Sequence, residues 1–133
     1  FAIARRYLAE VHEARGNEAE AFEERLKSGV RRSADIAESR KVFEQGGLRL
    51  LWERSIRSGK CNADSANPYD CARMFAKLGD RERALEQLEI AVRKRQFHAP
   101  FALVDPVFGS LRESDRFRAV SQAVEQGRSL ARQ

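Results

Sequence analysis

No apolar run in this chain approaches the roughly 18 residues of a membrane-crossing helix, and no signal peptide is visible. No membrane segment is therefore expected. Cysteine is scarce: Cys61 and Cys71 are spaced too widely for a C-x-x-C redox or zinc motif, and no second Cys or His pair completes a metal site. Histidine is limited to His12 and His98, and His12 opens H-E-A-R-G rather than the zinc-protease H-E-x-x-H. Nucleophile elbows, Walker loops and dinucleotide glycine fingerprints are missing too. Carboxylates are plentiful, but they alternate with Arg and Lys at helix spacing, as in Arg83 and Glu86. Such residues form solvated charge pairs more readily than an acid–base dyad. The expectation is a non-enzymatic protein with no cofactor and no metal.

What is present fits one helical domain. At 133 residues, with 42% apolar and 34% charged residues, the chain is long enough to bury a core without staples. Its net charge of +5 is spread out: 13 basic against 10 acidic residues up to Lys60, and 12 against 10 beyond it. Nucleic-acid footprints are normally clustered, so nucleic-acid binding is not expected. Arg31-Arg32 and Arg93-Lys94-Arg95 are short clusters, and the second ends a helix, where cations suit the dipole. Cys71 reads as a small buried apolar group, while Cys61 lies in a polar loop able to fold back on it. A Cys61–Cys71 disulfide is possible in an oxidising compartment. The location is otherwise open, with a cytoplasmic one favoured and a periplasmic one possible if the disulfide forms. The chain opens on Phe1 and not Met, which suggests a processed or excised piece.

Apolar periodicity places helices along the chain. The first runs from Ala2 to about Arg15, with Ile3, Tyr7, Leu8 and Val11 apolar; Gly16-Asn17 breaks it, and Asn17 can cap the second. Ala21, Phe22 and Leu26 give the second its apolar face, and Ser28-Gly29 ends it. Ser33 opens a third with Ile36, Val42 and Phe43 inward, stopped or bent at Gly46-Gly47. A fourth follows with Leu48, Leu51, Trp52 and Ile56 on one stripe. After the loop 58–67, Asn67-Pro68 gives a cap and a first-turn proline. Gln96 to Leu103 is an irregular apolar stretch holding Phe97, His98 and Phe101. Asp105-Pro106 caps one turn, and Ser114-Asp115 starts a last helix with Phe117, Val120 and Val124 inward.

The most informative stretch is P-Y-D-C-A-R-M-F-A-K-L-G-D-R-E-R-A-L-E-Q-L-E-I-A, from Pro68 to Ala91. Ala72 on one helix and Ala84 and Ala91 on the next are small where two helices must touch; Phe75 and Leu88 are their large partners, and Gly79-Asp80 is the turn. Leu8, Ala9, Gly16 and Ala21 repeat the spacing of Cys71, Ala72, Gly79 and Ala84, with His12 standing where the later copy has Phe75.

This hairpin resembles the tetratricopeptide repeat (TPR). From Gly46 to Phe117, G-G-L-R-L-L-W-E, the hairpin and D-P-V-F-G-S-L-R-E-S-D-R-F together look like the closing segment of bacterial multidomain regulatory proteins. The resemblance implies an all-α, right-handed superhelix of about three antiparallel pairs, closed by a short helical turn and a C-terminal capping helix. It would span residues 1–127, with a polar tail at 128–133. It also implies a partner-binding or regulatory role beside an effector such as a transcriptional regulator or kinase. In such a solenoid the first helix of each pair lines the concave face. Tyr69, Arg73 and Lys77, four apart, are then candidates to hold a peptide carboxylate, with Arg40 facing the same groove and Glu10 and Glu13 mixing its charge. The expected partner is a protein or peptide segment. The N-terminal helix pair could join a second copy. The alternative is a small-ligand sensory domain with an aromatic pocket at Phe97, Phe101 and Phe108.

Overall fold

A computed structural model of the chain describes residues 2–28, 32–97 and 99–127, and the side chains of Ala2 and Ile3 are not among them. Gly29, Arg31, His98 and the tail at 128–133 lie outside the described residues. All regular structure among the described residues is helical, in the order α1 (Ala2–Ala14), α2 (Glu18–Lys27), α3 (Ser33–Ser55), α4 (Pro68–Lys77), α5 (Arg81–Arg93) and α6 (Asp115–Glu125). A π-helical turn follows α3 at Ile56–Lys60, and two 3-10 helices, Ala99–Leu103 and Pro106–Leu111, separate α5 from α6. Contacts gather into two compact units, Phe1–Arg54 and Ser55–Gln133.

In the first unit α1 and α2 form a hairpin, closed where Ala9 and Ala21 are fully buried. Arg25 on α2 grips α1 through Glu13 (Nε, 2.7 Å) and Glu10 (2.7 Å). Phe22 of α2 stacks flat on Phe43 of α3, ring centroids 4.3 Å apart. Ala21, Phe22, Leu26 and Leu48 form the core there, with Ile36, Phe43, Leu51 and Trp52 packed against it. Helix α3 breaks at Gly47 (φ 68°, ψ −162°), a conformation open essentially to glycine alone. The freed amide of Leu48 donates to Glu18 Oε1 at 2.7 Å. The two arms of α3 are joined again by the Arg54–Glu38 pair at 3.2 Å. Ile56 leaves the stripe assigned to it from sequence: it packs on the core of the second unit, because the helix gives way to a π-turn after Ser55.

In the second unit α4 and α5 form the hairpin read from sequence, with Ala72, Ala84 and Ala91 fully buried and Phe75 and Leu88 beside them. Helix α6 packs on α5, presenting Phe117, Val120 and Ala123 to the same core. Arg116 of α6 holds Glu82 and Glu89 of α5. Cys61 and Cys71 are joined as a disulfide, with an S–S distance of 2.09 Å and Cα atoms 5.6 Å apart. The loop it fastens is held from α5 as well: Gln87 Nε2 donates to the Asn62 carbonyl (3.0 Å) and Lys94 Nζ to the Ser65 carbonyl (3.1 Å).

The caps divide by chemistry. Asp80 accepts from the Arg83 amide (3.2 Å), Asp105 from Val107 (3.1 Å) and Ser114 from Phe117 (3.1 Å). Asn17 and Asn67 stand at helix starts without a side-chain cap bond. Asn67 Oδ1 instead accepts from Gln96 Nε2 at 3.3 Å.

Candidate functional site

The two hairpins turn in the same way. After α1, the Asn17 amide donates to the His12 carbonyl (2.8 Å) and the Gly16 amide to Glu13 (3.0 Å). After α4, the Asp80 amide donates to the Phe75 carbonyl (2.9 Å) and the Gly79 amide to Ala76 (3.1 Å). Gly16 and Gly79 carry nearly equal positive φ, 78° and 81°. The turn is the Schellman type, in which a glycine takes the left-handed position after the last helical residue. His12 replaces Phe75 in this register; its Nδ1 is buried with no hydrogen-bond partner among the described residues.

The groove candidates take different places. Tyr69 is only 5% exposed and belongs to the core cluster of the second unit, not to an outward face. Its hydroxyl donates to Asp105 Oδ2 (2.7 Å), and Arg73 Nε lies 3.0 Å from the same oxygen as an ion pair. Arg112 closes the arrangement from the other side, donating to the carbonyls of Asp105 (2.8 Å) and Leu103. Burial, reinforced by the bond to Asp105, pushes the Tyr69 hydroxyl far above its ordinary pKa of 10.0. Tyr69 and Arg73 therefore clasp the 99–111 segment to α4 through Asp105, and Arg112 braces that segment from within. Sequence reading offered Asp105 only as a cap, because nothing local shows that a residue 36 positions on will meet Tyr69.

Lys77 is partly buried at the end of α4. Arg40 lies in the first unit, paired with Glu23 of α2, and that bond lowers the Glu23 pKa. Glu10 and Glu13 turn to Arg25 on α2, so their charge is used within the first hairpin. Arg83 pairs with Asp80 (3.6 Å) and lies over the Phe75 ring.

The three rings of the alternative pocket divide between core and surface. Phe108 is fully buried, meeting Tyr69 (centroids 5.7 Å apart) and Phe117 (6.5 Å). Phe97 is 81% exposed and meets Phe101 edge-on at 6.4 Å.

Two exposed apolar surfaces remain, one on the N-terminal helix that the sequence offered for self-association and one holding Phe97 and Phe101 of the expected aromatic pocket. On α1, Tyr7 (65% exposed), Leu8 and Val11 lie away from the buried Ala9 that meets the hairpin interior. At the α5 exit, Phe97 and Phe101 are joined by Val104, 75% exposed. Among the described residues no cluster of His, Cys, Asp and Glu could hold a metal, and no helix is long and apolar enough to cross a membrane. Comparison with protein-family models, curated proteins and solved structures gives no match to this chain.

Proposed function

We propose that this chain is a non-enzymatic interaction module of the tetratricopeptide type, the protein-binding part of a larger bacterial regulatory protein. In this reading the hairpins continue into a right-handed superhelix of about three pairs, closed by the turn at 106–111 and by α6. The shared Schellman turn and the fully buried alanines at matching positions support a repeat relationship between α1–α2 and α4–α5. A repeat unit cannot bury both faces of its helices alone, so an edge helix is left with an apolar side turned outward.

The apolar side of α1 carries the proposal. Tyr7 and Val11 lie four apart and Leu8 and Val11 three apart, so they share one helix face. Covering them would remove apolar surface from water at about 25 cal/mol per Å2. The partner is then a protein presenting a complementary helix face, a second copy of this chain included. Arg73, offered by the sequence as a contact, serves the fold through Asp105, and its reversal would damage the clasp before any partner.

Leu8→Glu with Val11→Glu gives the cleaner test, because both side chains are exposed. Loss of a specific protein or of self-association in sedimentation, with the circular dichroism unchanged, is the expected result. Binding that survives both substitutions would remove α1 as the interface.

A further inference from the structure

The second exposed surface belongs to the other compact unit and does not depend on the repeat reading. We infer that the edge formed by Phe97, Phe101 and Val104, with Arg93, Lys94 and Arg95 beside it, rests reversibly on an anionic lipid surface.

The 3-10 geometry builds the edge. With three residues per turn, positions three apart eclipse. Ala99 and Ala102 face the core, both buried, which turns Phe101 and Val104 outward together. The Val104 amide donates to the Phe101 carbonyl (3.1 Å), holding the two in successive turns, and Phe97 leans edge-on against Phe101. Exposures of 81% for Phe97 and 75% for Val104 belong to projecting side chains, not to the wall of a groove.

The charge beside them is of one sign. Between 91 and 104 there are three basic residues and no Asp or Glu. Divided at the boundary between the two compact units, the sequence places 14 Lys and Arg against 10 Asp and Glu in residues 55–133; without 93–95 this becomes 11 against 10. Residues 93–95 are the one run of consecutive basic residues in that part of the sequence, which the division at Lys60 did not reveal. Arg93 and Arg95 are exposed at the end of α5, Lys94 between them gives its ammonium to the Ser65 carbonyl, and Asp105, the next acid along the chain, is bound to Tyr69 and Arg73.

A bilayer interface accepts projecting apolar tips without a matching shape, and its anionic headgroups attract adjoining cations. A peptide partner would be better served by a concave pocket around its anchors. Base stacking is poorly served too: the Phe97 and Phe101 rings stand at 84°, and Val104 offers no π-face.

The test is co-sedimentation of the full chain with phosphatidylcholine vesicles, with and without phosphatidylserine. Binding is expected only to the anionic vesicles, falling as salt rises. Phe97→Ser with Phe101→Ser should reduce it by about tenfold or more. Arg93→Gln and Arg95→Gln should each weaken it by about fivefold. No binding to the anionic vesicles, equal binding to both compositions, or full binding by the Phe variant would overturn the inference. Retention of a poly-glutamate peptide or a single-stranded oligonucleotide without vesicle binding would also overturn it and reassign the surface.

Discussion

Glycine does two different jobs in this chain, and only one was plain from sequence. Gly79 sits at φ 81° with open space where a Cβ would go, so only the left-handed backbone demands it. Gly47 has φ 68° with ψ −162°, and its Cβ would lie 2.7 Å from Glu18 Oε1, the oxygen that receives the Leu48 amide. Gly79→Ala should therefore cost about 1 kcal/mol, whereas Gly47→Ala should cost about 3 kcal/mol by adding steric and hydrogen-bond loss. Urea unfolding of the two variants checks the order; equal losses would deny the Glu18 contact. Gly46-Gly47 was legible as a break, but its partner on α2 was not, because that contact spans 30 residues of sequence. Tyr69 is the second residue-scale case. Unfolded, its hydroxyl ionises near 10.0; folded, it holds its proton well above that. Its contribution to stability is whole below that pH and falls as pH rises further, by at most about 1.4 kcal/mol per pH unit. Denaturation on either side of pH 10 should show that slope in the native chain and a shallower one in Tyr69→Phe. Identical slopes would place the hydroxyl in water.

At the scale of the element, the hairpins were the most legible part, since an alanine three or four residues from a large apolar neighbour is a local signal. Ala72, Ala84 and Ala91 are all enclosed. The helices close on each other there, and Ala84→Leu should overpack the contact by about 1–3 kcal/mol. Ala14→Leu, on the exposed side of α1, should change stability by no more than about 0.5 kcal/mol. A thermal shift of equal size in both would mean that the alanine notch is not where α4 and α5 meet. The stretch after Arg95 resisted reading for a physical reason. Its 3-10 turns run for only five and six residues, too short for any period to emerge, and their register is set by Asp105, Arg112 and the core. Tyr69 was misplaced for a related reason: Tyr69, Arg73 and Lys77 share a helix face, but the sequence cannot say that the 99–111 segment folds over part of it. Asn17 and Asn67 show the same limit, since a residue suited to capping does not make the bond unless its dihedrals aim the side chain at the amide.

Over the whole molecule, several charges among the described residues hold helices and turns together: Arg25 on α1, Arg40 on α2, Arg116 on α5 and Arg73 on Asp105. What is left at the surface in apolar form, Tyr7, Leu8 and Val11 on α1 and Phe97, Phe101 and Val104 beyond α5, is where binding would act. The sequence showed Tyr7, Leu8 and Val11 as apolar helix residues but not which way they turn. That direction follows from Ala9, whose burial commits the opposite side of α1 to the hairpin. The claim that this is a protein-binding scaffold is tested most directly by photo-cross-linking from a benzoylphenylalanine placed at Val11, with Arg118 on α6, also exposed, as the control. A discrete protein adduct from position 11, a second copy of the chain included, and none from position 118 is the expected result. No adduct at 11, or the same adducts from both positions, would contradict the account.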